Sequence, residues 1–442
     1  MKRAFPILVF LAFVLSACDR SFSDVGEASI EVLSPDVTVA LTESILNLEL
    51  RVTAVRTVTS VRTGGIDFSN AANSDVWQAS FTLDKGLNRF VIESTVDDGP
   101  VGLDTVDVFH LTHSFESLTA NNTLIFKTGG HTLTRLNSDD LLLVGGTAQP
   151  GAPAAFDAYV WLNNSIRFTP VSSFPISPRV GHSDTLLPDG RVLFLGGASL
   201  GDISTVDQLV EAVEVFDPQT QLFTPIEFVG HPIRRMYHSA ILRPVGSDVF
   251  VVLLGGRGDT RYTPSPLLDI RQDLRTFQLR NDTLFALSPA VGPFVEFMAG
   301  HTQTALSPTS DRYLISGMSF GETLAATSLV MDYSGVGGIE IIKTTVSNTP
   351  KLRHASVRLA PGVVGLFNGR GEDIGDVYSG GELFVEEANS YFSFPADLAA
   401  QMTPSFGHTA TLMPDGRVLI AGGFDAAGLS LSTMEFVSLE IQ

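Results

Sequence analysis

Histidine is the residue type in this chain with the widest chemical range, because its imidazole can exchange a proton or bind a metal near neutral pH. Six of the nine histidines recur at intervals of 51, 56, 63, 53 and 54 residues. They are His131, His182, His238, His301, His354 and His408. A catalytic residue is normally singular. The recurrence therefore predicts a structural role, in which each histidine anchors one repeated hairpin by hydrogen bonding.

The only cysteine is Cys18, and it follows a segment with the layout of a secretory signal. Lys2 and Arg3 form a charged start. Residues 4–17 are almost wholly apolar but shorter than the about 20 residues that span a membrane. We therefore expect residues 1–17 to be a signal peptide and the mature protein to have no transmembrane segment.

The residues Leu15-Ser16-Ala17-Cys18 resemble a bacterial lipobox. The resemblance implies that the Cys18 thiol is acylated and that residues 18–27 form a lipidated N-terminus and linker. Acyl chains contribute about 0.8 kcal/mol per buried methylene, so two or three of them make a durable anchor. The protein would then lie in the bacterial cell envelope, anchored by palmitate-type chains. Both membranes stay open as locations, and Asp19 favours the inner one if the enteric retention rule applies.

Motifs for other chemistry are missing from the sequence. It contains no Gly-x-Ser-x-Gly elbow, phosphate loop or zinc-binding helix motif. Asp97 and Asp98 could be calcium ligands, but two carboxylates beside Gly99-Pro100 are more typical of a turn. We therefore expect no cofactor and no metal.

The composition indicates an acidic all-β protein. Twenty-eight basic and 48 acidic residues give a net charge of −20, and removal of the signal with its two basic residues gives 26 − 48 = −22. Such a chain repels phosphate backbones, so nucleic acid is not an expected partner. Forty glycines and 23 prolines, with 44% hydrophobic residues, favour many short strands around apolar cores.

Residues 28–115 read as the six or seven short strands of one β-sandwich, separated by turn signals. Within them, Trp77-Gln78-Ala79-Ser80-Phe81-Thr82-Leu83, then Gly86-Leu87-Asn88 and the Asp97-Asp98-Gly99 turn, resemble bacterial immunoglobulin-like and cadherin-like modules. The resemblance implies a spacer domain.

A doublet that contains glycine follows each repeat histidine. The six doublets are Gly145-Gly146, Gly196-Gly197, Gly255-Gly256, Ser316-Gly317, Asn368-Gly369 and Gly422-Gly423. In the clearest copies, Gly181–Gly197 and Gly407–Gly423, a Pro-Asp-Gly turn joins two strands. This unit of about 50 residues resembles the kelch repeat of β-propellers. The family commonly has tryptophan in its fourth strand, where Phe168, Phe223 and Phe392 stand here.

The resemblance implies an all-β protein, in which the β-sandwich is followed by a six-bladed kelch β-propeller over residues 118–442. Seven blades are a less favoured alternative. The last repeat supplies only three strands before the chain ends at Gln442. Residues 122–128 align with the fourth strand at Gln219–Pro225, so we expect them to complete the last blade and close the ring.

Three basic residues stand three positions before a repeat histidine: Arg179, Arg235 and Lys351. Repeat symmetry would carry them to equivalent places near the channel mouth, where they could bind a carboxylate by bidentate contacts. Kelch domains that bind acidic peptides use arginines in such a ring. Pairing with neighbouring acidic residues is the alternative.

The resemblance leaves two function classes open. Galactose oxidase belongs to this superfamily, but its cysteine-modified tyrosine needs a cysteine that the mature chain cannot give. We expect a lipid-anchored binding protein that recognises an extracytoplasmic protein or glycan. The alternative is a periplasmic or surface carbohydrate-active enzyme, similar to the sialic acid epimerases. The sequence predicts neither the ligand nor the oligomeric state.

Overall fold

The computed structural model describes most of the chain after the N-terminal segment. The described residues are 28–54, 56–70, 74–97, 101–118, 128–149, 151–162, 168–201, 203–230, 233–259, 268–270, 274–287, 299–317, 319–320, 323–334, 340–373 and 375–441. Contacts divide them into two units. The first comprises the described residues up to Val37, with Glu43–Asp84 and Asn88–Val108, and the second comprises Thr38–Thr42, Lys85–Leu87 and Phe109–Gln442. Cys18 lies outside the described residues.

The first unit is a β-sandwich of two four-stranded sheets with the orders β1-β2-β6-β5 and β4-β3-β7-β8. Its strands are β1 (Ser29–Ser34), β2 (Ile45–Thr53), β3 (Val58–Thr63), β4 (Ile66–Asp67), β5 (Ser69–Asn70), β6 (Val76–Thr82), β7 (Gly86–Val96) and β8 (Val101–His110). Alternate residues of β2 are buried, as expected for a strand with one face on a core. Phe81 of β6 packs on Phe90 of β7 at 4.8 Å between ring centres, which joins the two sheets. The predicted sandwich is confirmed.

The second unit is a six-bladed propeller, as predicted. Blades I and II consist of β10 (Thr132–Arg135), β11 (Leu141–Val144), β12 (Ala158–Trp161) and β13 (Phe168–Pro170), then β14 (Ser183–Leu186), β15 (Val192–Leu195), β16 (Glu214–Asp217) and β17 (Leu222–Pro225). Blade III consists of β20 (Ser239–Val245), β21 (Asp248–Leu254), β24 (Leu274–Arg280) and β25 (Thr283–Ala286), with β18 (Glu227–Val229) added in parallel to β25. A small sheet of β19 (Arg235–Met236), β22 (Arg257–Asp259) and β23 (Leu268–Ile270) accompanies it.

The other three blades follow the same pattern. Blade IV consists of β26 (Thr302–Ala305), β27 (Arg312–Ser316), β30 (Thr327–Asp332) and β31 (Glu340–Val346), with a hairpin of β28 (Ser319–Phe320) and β29 (Thr323–Leu324). Blade V consists of β32 (Ala355–Ala360), β33 (Val363–Arg370), β34 (Val377–Val385) and β35 (Ser390–Ser393). Blade VI consists of β36 (Thr409–Leu412), β37 (Val418–Ala421), β38 (Met434–Glu440) and β9 (Thr112–Ser117). Phe168, Phe223 and Phe392 lie in fourth strands, as predicted.

Helix is scarce in the described part of the chain. It consists of a 3-10 turn at Val206–Gln208 and one short α-helix, α1 (Ala396–Ala399). Neither is long and apolar enough to cross a membrane.

Each pair of neighbouring blades shares its own hydrophobic cluster, so the propeller has a core between every two blades. One example joins Leu142 and Val160 of blade I to Phe194 of blade II. The cluster between the last and first blades joins Leu419 and Phe436 to Leu143. Burial of this kind is the main force that holds blades together, since few other contacts remove as much apolar area from water.

The strand that completes blade VI differs from the predicted one. β9 pairs antiparallel with β38, with Phe115 opposite Val437, and so covers the edge of the last blade. The sequence predicts residues 122–128 for this role, and 122–127 lie outside the described residues. The predicted sandwich, 28–115, therefore extended too far, because 112–115 belong to the propeller. Closure by an N-terminal strand was correct, and a different segment provides it.

Candidate functional site

The repeat histidines form an interlocked set inside the propeller. All six are buried, with exposed fractions of 4–6%. In five of them Nε2 is hydrogen-bonded to the hydroxyl that follows the histidine of the preceding blade. The pairs are His182 with Thr132 (3.0 Å), His238 with Ser183 (2.9 Å), His301 with Ser239 (2.8 Å), His354 with Thr302 (2.8 Å) and His131 with Thr409 (3.4 Å). The predicted structural role rests on hydrogen bonds between blades, rather than on bonds within one hairpin.

The sixth histidine, His408, differs from the others. The residue that follows the histidine of the preceding blade is here Ala355, which has no hydroxyl. His408 Nε2 makes no hydrogen bond with the described residues. Burial lowers the pKa of His131 to about 3 and those of His301 and His408 to about 4. Burial also lowers the pKa values of His182, His238 and His354 well below the ordinary value. Burial therefore disfavours the charged form of all six rings, which serve packing and bonding between blades.

A glycine in the first position of a doublet leaves room for the histidine of the next blade. A Cβ on Gly196 would lie 2.8 Å from Cε1 of His238, and a Cβ on Gly317 would lie 2.8 Å from Cε1 of His354. The match places Gly317 in the first position of its doublet. This corrects the predicted Ser316-Gly317 assignment, because Gly317 lies 317 − 301 = 16 residues after His301, two more than the 14 of the four regular blades.

Arg179, Arg235 and Lys351 do not form the exposed cluster that the sequence predicted. Their exposed fractions are 0%, 3% and 4%. Arg179 pairs with Glu214, and Lys351 Nζ lies 3.0 Å from Glu382 Oε2.

Arg235 Nη1 donates a hydrogen bond of 2.8 Å to the carbonyl of Gly255. The expectation of a ligand-binding ring was wrong, because these side chains turn into their own blades toward buried partners. The alternative of pairing with acids holds for Arg179 and Lys351.

A ring of backbone hydrogen bonds closes around the propeller axis at the residue before each repeat histidine. We call these six residues the axial ring: Gly130, Gly181, Tyr237, Gly300, Arg353 and Gly407. Each N–H donates to the carbonyl of the ring residue in the preceding blade, at 2.7–2.8 Å. Every member has a positive φ, between 50° and 77°. The ring is continuous through all six blades, which excludes a seventh.

Tyr237 and Arg353 break the symmetry of the axial ring. Their φ values of 55° and 50° lie in the left-handed region, where glycine is the usual residue. The neighbouring glycines make room for them. A Cβ on Gly181 would lie 2.7 Å from Cε1 of Tyr237, and one on Gly300 would lie 3.0 Å from Cγ of Arg353.

The side chains of these two residues meet over the ring. The guanidinium carbon of Arg353 lies 3.8 Å from the centre of the Tyr237 ring, a cation–π contact. A second guanidinium is near. Burial and the positive charge of Arg353 lower the pKa of Arg370, while Tyr237 acts in the opposite direction. The three side chains Tyr237, Arg353 and Arg370 are the candidate site, and all three are half-buried.

The sequence contained a signal for part of this site. In the position before the histidine, four copies have glycine and two have Tyr237 and Arg353. The basic residues three positions before the histidines, which the sequence also marks, are structural. Arg370 had no such marker, because the residue after the doublet follows no pattern: it is Thr147, Ala198, Arg257, Met318, Arg370 and Phe424 in the six copies.

Among the described residues there is no group of three or more His, Cys, Asp or Glu side chains that could hold a metal ion. What the candidate site offers is two positive guanidinium groups, an aromatic ring and a phenol. Such groups can recognise an anionic or polar ligand.

The fold and this ring place the chain in the class of six-bladed β-propellers. In sequence comparisons, the chain matches no protein family and none of the curated proteins. Among solved structures it is similar to one titled "Structure of YjhT", with a TM-score of 0.53 and 12% sequence identity. The match covers 72% of this chain and 99% of that chain. At this identity the similarity shows the propeller fold alone.

Proposed function

We propose that the protein is a lipid-anchored binding protein of the bacterial cell envelope. Its propeller binds a protein or glycan ligand at the axial ring, and its sandwich serves as an immunoglobulin-like spacer. The observation that carries the proposal is the broken symmetry of the ring at Tyr237 and Arg353.

A left-handed conformation costs a non-glycine residue about 1–2 kcal/mol. Four blades avoid this cost with glycine, and two accept it. Strained residues that the surrounding structure holds in place concentrate at functional sites. Tyr237 and Arg353 also contact each other across Gly300, so the two exceptions form one feature. This supports a binding role at the ring.

Glycine variants test the proposal. Tyr237→Gly and Arg353→Gly restore the residue that four other blades carry at this position, so the propeller should fold with a free energy of unfolding within about 1–2 kcal/mol of the wild type. We expect both variants to lose capture of the ligand from solubilised cell envelope, measured by pull-down and mass spectrometry.

Arg417→Gln is the matched control for this experiment. Arg417 also stacks on an aromatic ring, 4.0 Å from the centre of Phe436, but it is paired with Asp415 and Glu116 away from the ring. Capture should persist in this variant. Equal capture by the wild type and both glycine variants would place the binding site elsewhere.

The anchor is tested at Cys18. We expect Cys18→Ala to leave the precursor unprocessed or to release the protein in soluble form, since the thiol is the acceptor for the acyl chains. Fractionation of cells into membrane and soluble material measures this. Detergent-sensitive attachment that persists in the variant would refute the lipid anchor.

A carbohydrate-active enzyme is the second candidate, and one observation favours it. Burial and the carboxylates of Asp376 and Glu372 raise the pKa of Tyr378, on the segment that follows Arg370. A tyrosine with two carboxylates beside an arginine pair can serve acid–base chemistry on a sugar. Incubation of captured material with the protein separates the two functions. A binding protein returns its ligand unchanged, whereas an enzyme releases a product, and Asp376→Asn stops that release.

A further inference from the structure

Arg353 and Arg370 form no ion pair with any described carboxylate. Other arginines of this acidic chain do pair, as Arg191 does with both Asp189 and Asp282. Arg417 shows that stacking on an aromatic ring does not prevent pairing, because it has both an aromatic and two acidic partners. With 48 acidic residues available in the chain, two adjacent unpaired arginines at one site are a distinctive arrangement.

The two guanidinium groups are held in place without a counterion. Arg353 is fixed at its backbone by the axial ring and at its head by Tyr237. Arg370 pairs through its backbone with Leu352, and its guanidinium carbon lies 5.5 Å from the centre of the Phe406 ring. The Nε of Arg370 is buried and has no hydrogen-bond partner among the described residues. A buried donor without a partner is costly unless something binds to it.

We infer that Arg353 and Arg370 bind a single oxyanion group, a carboxylate or a phosphate, of a ligand that is otherwise uncharged. The planar guanidinium fork matches the oxygen spacing of both groups. The two positive charges repel each other, and an oxyanion between them removes that repulsion. This inference deepens the proposed function and rests on the same site.

The net charge of the chain argues for one anionic group rather than many. A polyacidic ligand would approach a protein of net charge −20 against long-range repulsion. A ligand with one oxyanion experiences little of this repulsion and gains the local attraction of two arginines. The acidic chain therefore allows the arginine pair to bind a ligand of low charge but disfavours a polyacidic one.

The test is a titration of the full-length protein at constant ionic strength. The probes are acetate, glucuronate and inorganic phosphate, with glucose as the uncharged control, and binding is measured by calorimetry and by the rise in Tm. We expect saturable binding of at least one oxyanion and none of glucose. Tighter binding of acetate and glucuronate identifies a carboxylate site, and tighter binding of phosphate identifies a phosphate site.

Variants assign the binding to the pair. Arg353→Gln and Arg370→Gln should each weaken oxyanion binding by about tenfold or more, the loss of one charge-assisted contact. Arg417→Gln should not change it, and Arg353→Gly serves where the glutamine variant folds poorly. The inference is overturned if no oxyanion binds saturably to the wild type, or if both glutamine variants bind the oxyanion as tightly as the wild type does. Loss of oxyanion binding with unchanged envelope capture would instead refute the proposed function and leave the oxyanion site standing.

Discussion

Three blades have a buried glutamate at the same position of the third strand, and the three glutamates differ in the groups that they pair with. Glu214 accepts a hydrogen bond of 2.6 Å from the N–H of Ile176 and pairs with Arg179. Glu382 pairs with Lys351. Glu435 has Thr403 as its partner, because Ser405 stands where the other blades have a cation. Burial raises the pKa of Glu435, although its hydrogen bonds to Thr403 act in the opposite direction.

The difference predicts unequal costs for the same substitution. Glu214→Gln leaves the buried Arg179 without its counterion and should lower the free energy of unfolding by about 3–5 kcal/mol. Glu435→Gln keeps an oxygen for the Thr403 N–H and leaves no cation unpaired, so its cost should be about 1 kcal/mol. Denaturant unfolding measures both. Equal costs would show that the Arg179 pair contributes no more than a neutral hydrogen bond.

The six histidines predict sensitivity to acid. An unfolded histidine takes up a proton near pH 6.5, whereas burial keeps the folded pKa at about 3 for His131 and about 4 for His301 and His408. Because the folded pKa values are depressed for a base, stability is fully present above pH 6.5 and is lost as the pH falls toward 4.

At pH 5 each of these three histidines costs about 2 kcal/mol, so together they remove about 6 kcal/mol from the stability of a typical domain, about 5–15 kcal/mol. We expect Tm to be constant from pH 8 to 7 and to fall steeply below pH 6.5, measured by circular dichroism. A Tm that is unchanged between pH 7.5 and pH 5 would contradict neutral, buried histidines.

At the scale of elements, the sequence predicted the blades well because each blade carries its own local markers. The histidine and the doublet of each blade lie within one hairpin, and two blades add a Pro-Asp-Gly turn between them, so the spacing of these markers predicts the strands. The closing strand has no such marker. β9 pairs with β38 about 320 residues later in the chain, since Thr112 lies opposite Glu440 (440 − 112 = 328), and only the finished ring brings them together.

The ion pairs were missed for a related reason. Arg179 and Glu214 lie 35 residues apart, and repeat symmetry places their backbones without showing which way a side chain turns. By contrast, the sequence alone distinguishes Tyr237 and Arg353, because the other four repeat histidines are preceded by glycine. The contact between the two side chains across Gly300 depends on the folded ring.

Two proline variants distinguish the observed closing strand from the predicted one. Phe115→Pro removes a backbone donor from β9 and a side chain that packs against the core of blades V and VI. We expect it to lower the free energy of unfolding by more than about 2 kcal/mol. Leu124→Pro falls in the segment 122–128, and we expect a smaller effect. Thermal unfolding of both full-length variants measures the two losses of stability. A larger loss in Leu124→Pro than in Phe115→Pro would favour the segment 122–128 as the closing strand.

At the scale of the whole molecule, the propeller combines a symmetric scaffold with one asymmetric site. The six interblade clusters, the histidines and the axial ring repeat around the axis and serve stability. Tyr237 and Arg353 depart from that repetition, and Arg370 lies near Arg353 outside the ring. Tyr237 and Arg353 lie in the bends before β20 and β32, where the axial ring holds their backbones, and Arg370 ends β33. A site fixed in this way holds its groups in position before a ligand arrives, which lowers the entropic cost of binding.

Photocrosslinking in intact cells tests the ring as the binding site most directly. Benzoylphenylalanine is a photoreactive analogue of phenylalanine. It replaces Tyr237 in one strain and Phe174 in another. Phe174 is 61% exposed and lies outside the ring, so it reports chance contacts. We predict that light attaches an envelope ligand to the protein labelled at 237 and not to the one labelled at 174. Crosslinking at 174 with none at 237 would contradict binding at the axial ring.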